Sequence, residues 1–391
     1  MQSEQTSPQP QSAEAKGARL YYLDWLRVIA TLGVFLFHAL NVFNTFDFHI
    51  KNAQQSEAIS IFEGFLFPWG MPLFFMMSGT GCWFALRKRT GRQYIRERFN
   101  RLFIPFVVGS LLLSPIQLWL EYNHKIQTGV VQGSFREFLG TIPFQANPRF
   151  FGAVGYHLWF LAFLFLFALI TLPLFQWLKG PSGQRFVAGL ARLCERRGAI
   201  LLLAIAPIAV RLATHPFFPE EHHWADFLTL MTFFALGFLL YSDERFAQAI
   251  RRDRWILLAA VVLSTLAAAY LSLTAETFDI EAGPRTLSEF SMWGAITLNG
   301  WCWCIFMLYI GMRHLNFTNR FQQYAQTAIL PFFVLHQPVI IILSYFVVQW
   351  NWGLWPKLLT VVIGAFAICV GIYELVIKRV GFLRAAFGMK G

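Results

Sequence analysis

The chain has 391 residues, 56% of them hydrophobic and 14% charged, with a formal net charge of +11. Soluble domains carry about a quarter charged residues, so this composition argues against one, and the apolar mass, with 43 Phe and 14 Trp, excludes a disordered chain. Five cysteines, few and odd in number, exclude a disulfide-stapled secreted domain.

Residues 1–19 are rich in Gln, Ser and Pro and lack the apolar core of a signal peptide; they are expected to form a disordered cytoplasmic tail. From Leu20 the apolar residues fall in runs of about twenty, the length that crosses ~30 Å of hydrocarbon. Ten spans are expected, at about 21–43, 60–86, 102–122, 155–178, 198–214, 225–242, 255–274, 291–312, 325–349 and 356–377. Each is apolar on most sides, and a backbone that must satisfy itself in lipid is helical here, since the ten-residue alternation of a transmembrane barrel is absent. The expected fold is all-α and polytopic: a membrane domain over 20–385, with 386–391 a short cytoplasmic C-terminal tail.

Placing the N-terminus in the cytoplasm puts 24 Lys and Arg on that side and six on the other: Lys51, Lys125, Arg136, Arg149, Arg285 and Lys357. The bias is the one expected for an N-in, C-in topology. The positive charge thus marks orientation in a lipid bilayer, and a nucleic-acid partner is not needed to explain it. The cysteines (Cys82, Cys194, Cys302, Cys304 and Cys369) lie in spans or on the cytoplasmic side, where thiols stay reduced. Cys302 and Cys304, spaced C-x-C, do not match zinc or redox patterns, and no metal site or bound cofactor is expected.

Ionisable side chains inside spans are costly unless they face protein or water. The first span holds Asp24, Arg27 and His38. Eleven residues at ~100° each bring Arg27 and His38 onto one face, about 16 Å apart along the axis, and Asp24 can pair with Arg27 at i, i+3. Arg suits phosphate or carboxylate recognition and His suits proton transfer; a snorkelling Arg and a packing His are the alternative. Pro68, Gly70, Pro72, Gly79 and Gly81 are expected to break the second span into a cavity wall around Ser78. Glu63, near its outer end, is placed to orient His38. Arg98 and Arg101, followed by Pro105, are spaced to clasp a polyphosphate or to anchor lipid headgroups. His157, Arg211 and His336 lie at the outer mouth of the fourth span, the outer part of the fifth and the middle of the ninth. His336, two residues before Pro338, suggests another broken helix. Glu374 is expected to pair with Lys378.

These features in order resemble the acyltransferase-3 family of bacterial integral membrane acyltransferases. The resemblance rests on Arg27 and His38 behind Leu-Asp-x-Leu-Arg, Phe74-Phe75-x-x-Ser78-Gly79, Arg98-x-x-Arg101, His157-Leu-Trp-Phe-Leu and Leu335-His336-x-Pro338, and extends from about residue 20 to 385. Tyr373-Glu374 and the basic run from Lys378 look most like the branch of periplasmic glucan succinyltransferases. The resemblance implies a multi-pass protein of the bacterial inner membrane that moves an acetyl or succinyl group from a cytoplasmic acyl-coenzyme A, its co-substrate, to a hydroxyl of an envelope carbohydrate such as a periplasmic glucan. It implies a catalytic set of His38, Arg27 and Asp24, donor binding by Arg27, Arg98, Arg101 and Ser78, and acceptor binding by His157, Arg211, His336 and Glu63. A secondary transporter of a small polar solute or carbohydrate uses similar buried residues, but no internal repeat of helix pairs is visible. A sensory or scaffolding protein has no need of aligned ionisable groups in lipid.

Overall fold

A computed structural model describes residues 20–142, 144–274 and 287–389. The expected N-terminal tail and the acidic outer stretch with Glu276, Asp279 and Glu281 lie outside the described residues. Among the described residues there are helices and no strands. Seven helices are long and apolar enough to cross a membrane, or nine if two bent pairs each count as one span.

The difference from ten has local causes. The third span bends by 42° between Gly91–Leu112 and Ser114–Gln127, where Pro115 opens the second piece. Helix Trp224–Leu240 turns through 100° into the amphipathic Glu244–Arg252. The fifth expected span is short: it begins as a six-residue 3-10 turn, Ala199–Ala204, after Gly198 at φ 75°, and continues as the ten-residue helix Ile205–Thr214. The stretched turn lets it reach about 27 Å at 2.0 and 1.5 Å per residue.

Two expected breaks are absent. Helix Glu57–Leu86 runs unbroken through Pro68 and Pro72, and helix Arg320–Val347 through Pro331 and Pro338. Each proline removes one backbone N–H and frees the carbonyl four residues earlier. A neighbouring helix closes on the carbonyl that Pro72 frees: Gly300 lies so near the Pro68 oxygen that a Cβ there would sit 2.4 Å from it.

Helix Glu57–Leu86 packs along Trp224–Leu240, with Gly79 and Gly237 at the crossing. A Cβ on Gly79 would lie 1.8 Å from the Phe234 carbonyl oxygen, and one on Gly237 1.9 Å from that of Met76. Thr80 uses the close approach, donating its hydroxyl to the Gly237 carbonyl at 3.1 Å. Small residues permit this backbone contact in membrane helices. Helix Arg320–Val347 is central, two-thirds of its apolar window being buried in protein (67%), whereas Arg254–Thr274 (22%) and Leu354–Ile377 (28%) present most of theirs outward. The lipid-facing surface thus belongs to peripheral helices, and His336 sits on one of the two most enclosed spans, the other being Arg149–Ile170 at 67%.

Contacts between loops fall into two sets. Arg89 pairs with Glu97, Arg245 with Glu195, and Lys179 donates to the Leu86 carbonyl, all in connections expected on the cytoplasmic side. His49 pairs with Glu121, Arg149 with Glu220, and Lys357 donates to Asn52, all in connections expected outside. Glu374 and Lys378 form their pair at 3.0 Å.

The glycine crossing gives a stability prediction. Gly237→Ala drives a Cβ into backbone that cannot rotate away and should destabilise the protein by about 1–3 kcal/mol, read as a lower melting temperature in detergent. Gly371→Ala, where nothing lies within 4 Å of the new Cβ, should match or exceed the parent. Equal melting temperatures for Gly237→Ala and the parent would contradict the packing.

Candidate active site

His38, His157 and His336 come from three separate helical segments, and their rings meet. The His336 ring centroid lies 5.2 Å from that of His38 and 4.8 Å from that of His157, while His38 and His157 are 6.3 Å apart. Spacing in the sequence aligned Arg27 with His38 but carried no information that these three imidazoles share one place.

Proline chemistry explains how two of them are aimed. Pro338 has no N–H to give the Val334 carbonyl, four residues earlier. His157 Nε2 reaches that oxygen at 3.2 Å and the Phe333 oxygen at 3.1 Å. His336 Nδ1 lies 2.6 Å from the Phe333 oxygen. Carbonyls only accept, so neutral His157 carries its proton on Nε2 and neutral His336 on Nδ1. The other nitrogens, His157 Nδ1 and His336 Nε2, keep their lone pairs; both are buried with no protein hydrogen-bond partner, as is His38 Nδ1. Two ready proton acceptors therefore stand beside a third imidazole, an arrangement suited to taking a proton from a hydroxyl. Among the described residues no group of three or more His, Cys, Asp or Glu is placed to hold a metal ion.

The loop over 41–56 closes the outer side of the cluster. Lys51 Nζ donates to the carbonyls of Asn41 (2.7 Å) and Asn44 (2.6 Å), and Lys357 Nζ to the Asn52 side chain (3.2 Å). Burial pulls Lys51 down to about 8, against Glu63 and Asp47, which favour its charge. Glu63 is not the orienting partner of His38 expected from sequence: its carboxylate accepts from Asn44 Nδ2 and braces the loop. Phe48, on this loop, stacks on His38 at 6.2 Å and 22°.

At the other end of helix Tyr21–Leu40, Arg27 pairs with Asp24 at 3.6 Å and donates to the Met77 carbonyl at 3.3 Å. Gly81 leaves the room for this, since a Cβ there would lie 2.9 Å from Arg27 Nη2. Arg98 lies over the Tyr94 ring at 5.1 Å with Nη2 3.7 Å from Cys82 Sγ, and its Nε is buried without a partner. It is close enough to Arg27 for their charges to repel. Arg101 pairs with Glu97 at 3.8 Å and donates to the Gly388 carbonyl at 3.4 Å. Ser78 stands one turn before Cys82, whose thiol donates to the Ser78 carbonyl at 3.2 Å. Between Arg98 and Arg101 the helix widens: the Ile104 N–H reaches back five residues to Phe99. Widened turns of this kind recur at functional sites. Arg27, Arg98 and Arg101 thus form a cluster of cations beside the 77–82 stretch, with no matching number of carboxylates.

Arg211 makes its contacts elsewhere. It pairs with Asp226 at 2.8 Å and lies over the Trp293 ring at 5.4 Å, and Asp226 also accepts from the His222 N–H at 2.7 Å. Asp226 opposes its charge there, while its Nε is buried without a hydrogen-bond partner.

Residues 20–374 match the model of the acyltransferase domain family, acyltransferase-3. The chain belongs to the acyltransferase-3 family. The acyltransferase is 21% identical over 335 residues to "Glucans biosynthesis protein C" of Salmonella schwarzengrund (strain CVM19633) and to that of Salmonella typhi, with 84% of each chain covered. It is 22% identical over 338 residues to the protein of that name from Salmonella paratyphi A (strain ATCC 9150 / SARB42), again with 84% of each chain covered. No solved structure matches. The acyltransferase is a multi-pass membrane protein, as its apolar helices and its family indicate.

If Pro338 aims His157, restoring the missing donor should disturb it. Pro338→Ala should fold at least as well as the parent but transfer acyl groups about ten- to a hundredfold more slowly, the cost of a slight misplacement at a reacting centre. Parental turnover in Pro338→Ala would contradict the link.

Proposed function

We propose that this acyltransferase takes an acetyl or succinyl group from acyl-coenzyme A at the cytoplasmic face of the bacterial inner membrane and places it on a hydroxyl of an envelope carbohydrate. The observation that carries the reading is one unbroken helix, Tyr21–Leu40, with an arginine cluster at one end and the histidine cluster at the other. The intervening distance of about 16 Å suits the extended pantetheine arm of coenzyme A. The name of the Salmonella relatives supports a glucan as the acceptor.

Arg27, Arg98 and Arg101 bind the donor's phosphates by charge-assisted hydrogen bonds, with Asp24 fixing Arg27 and Ser78 beside them. At the far end His38 takes the proton of the acceptor hydroxyl as the oxygen attacks the thioester carbonyl. A carbon–oxygen bond forms, the carbon–sulfur bond breaks, and the proton passes from His38 to the departing thiolate. His157 and His336, each with one nitrogen tied to a carbonyl, offer lone pairs to neighbouring hydroxyls of the acceptor sugar and so orient it. Arg211, held by Asp226 with its Nε unpartnered, is a cation on the acceptor side available to a succinyl carboxylate.

Mass spectrometry of envelope glucans from cells with and without the chain tests this, because the mass difference names the acyl group and the acceptor. Parental cells should show the added acyl mass. His38→Ala should lower transfer by about 10²- to 10⁴-fold, the range for losing a general base. Arg27→Ala should raise the donor KM about tenfold or more, as expected when a charge-assisted contact is lost. Parental transfer by both variants, shown to be inserted and folded, would overturn the proposal.

A further inference from the structure

A second constellation sits above the histidine cluster. Glu121, near the outer end of helix Ser114–Gln127, is buried and gathers three donors. His49 Nδ1 lies 2.7 Å from its Oε2, the Tyr156 hydroxyl donates to the same oxygen at 3.1 Å, and Lys125 donates to Oε1 at 2.8 Å. Glu121 thereby ties the 41–56 loop to the turn that precedes His157. That turn is strained: Tyr156 has φ 52°, a left-handed value that a bulky side chain rarely adopts. Strain of this kind persists where its surroundings over-determine it and is concentrated at functional sites.

His49 differs from His157 and His336 in its partner, a carboxylate rather than a backbone carbonyl, and in its exposure. A carboxylate only accepts, so the neutral His49 ring carries its proton on Nδ1 and has its Nε2 lone pair available to a group outside the protein. Its side chain is 28% exposed, whereas His157 is 4% and His336 1% exposed as whole residues; it stands at the rim and they lie below. Aromatic rings connect the two levels. Phe48 lies 4.7 Å from the His49 ring and stacks on His38, and the Tyr156 ring lies 4.7 Å from His49 on another side. A few convergent polar atoms among aromatic faces are what a binding site for a ring-shaped polyol requires. The 41–56 loop is already fastened to helix Ser114–Gln127 by the Lys51 N–H, which donates to His124 Nε2 at 3.0 Å, so a structural latch does not depend on an imidazole open to the outside.

We propose that His49, locked by Glu121, is an acceptor-binding residue: its Nε2 receives a sugar hydroxyl at the outer rim, and Phe48 and Tyr156 guide the ring toward His38. This rests on the reading of the acceptor as a carbohydrate that arrives from outside. Glu121 is then a positioning residue, acting through His49.

The test uses the full chain reconstituted in lipid, acetyl- and succinyl-coenzyme A as donors, and the purified envelope glucan fraction as acceptor. His49→Phe keeps an aromatic ring in place but has no acceptor atom. It should raise the acceptor KM about five- to tenfold, the effect of one lost hydrogen bond, and leave the donor KM and the kcat at saturating acceptor within about twofold. Glu121→Gln, which still accepts a hydrogen bond but without charge, should fall between the parent and His49→Phe. An unchanged acceptor KM in His49→Phe would overturn the proposal, as would a rise accompanied by equal changes in donor KM and kcat, the signature of a structural role. Direct binding of the glucan fraction, followed by tryptophan fluorescence, separates this proposal from the function it rests on. Glucan that binds the parent more tightly than His49→Phe, without transfer, would sink the proposed reaction and keep the subsite. Glucan that neither binds nor is modified would sink both.

Discussion

In lipid a backbone carbonyl without a partner is expensive, because no water is present to satisfy it. Proline creates such carbonyls on purpose. Pro338 frees the Val334 oxygen inside a well-enclosed helix, and His157, from another segment, takes it. That bond, with the His336 bond to Phe333, decides which nitrogen of each ring carries the proton and which way each lone pair points. The reactive character of the cluster follows from a local rule of backbone chemistry. Pro72 obeys the same rule with a different outcome: the Pro68 carbonyl it frees meets Gly300, and the result is close helix packing rather than a polar site.

The second organising element is a helix with two chemically distinct ends. Its arginine end is cationic, partly stacked on Tyr94 and only partly matched by Asp24 and Glu97. Its histidine end is enclosed by Phe48 and by the loop that Lys51 and Lys357 pin down. Under the proposed function, separating the ends by about 16 Å of helix would let an anionic donor be held at one end while the reacting carbonyl is presented at the other. Packing through Gly79 and Gly237 keeps the helix that carries Ser78 and Cys82 rigid against Trp224–Leu240, so the arginine cluster has a firm wall.

Much of this was legible in the sequence. Run length and loop charge indicate a polytopic helical protein, and the interval from Arg27 to His38 places both on one face of a helix that proves continuous. The pairs Asp24–Arg27 and Glu374–Lys378 follow from i, i+3 and i, i+4 spacing. Other features were not legible, for identifiable reasons. Proline and glycine in spans suggested breaks, because spacing cannot show that a neighbouring helix covers the freed carbonyl. The meeting of His157 and His336 with His38 is a long-range contact with no local signature. His49, Tyr156 and Glu121 lie in a loop, a strained turn and a helix end, where no periodicity operates. The available signal was chemical: Glu121, His124 and Lys125 cluster where the third span meets the outer side. Glu63, read from depth alone as a partner for His38, was nearer to Asn44, and depth does not fix azimuth.

The central claim is that the arginine and histidine ends of helix Tyr21–Leu40 serve one reaction on one bound donor. An experimental structure of the protein in lipid with a non-reactive thioether analogue of acyl-coenzyme A tests it most directly. The donor's phosphates should contact Arg27, Arg98 and Arg101, with the pantetheine arm running along the helix. The carbon standing in for the thioester carbonyl should lie beside the His38 ring, close enough for a hydroxyl held there to approach to about 3–3.5 Å. Phosphates bound elsewhere, or an acyl group that ends short of the three histidines, would contradict the claim.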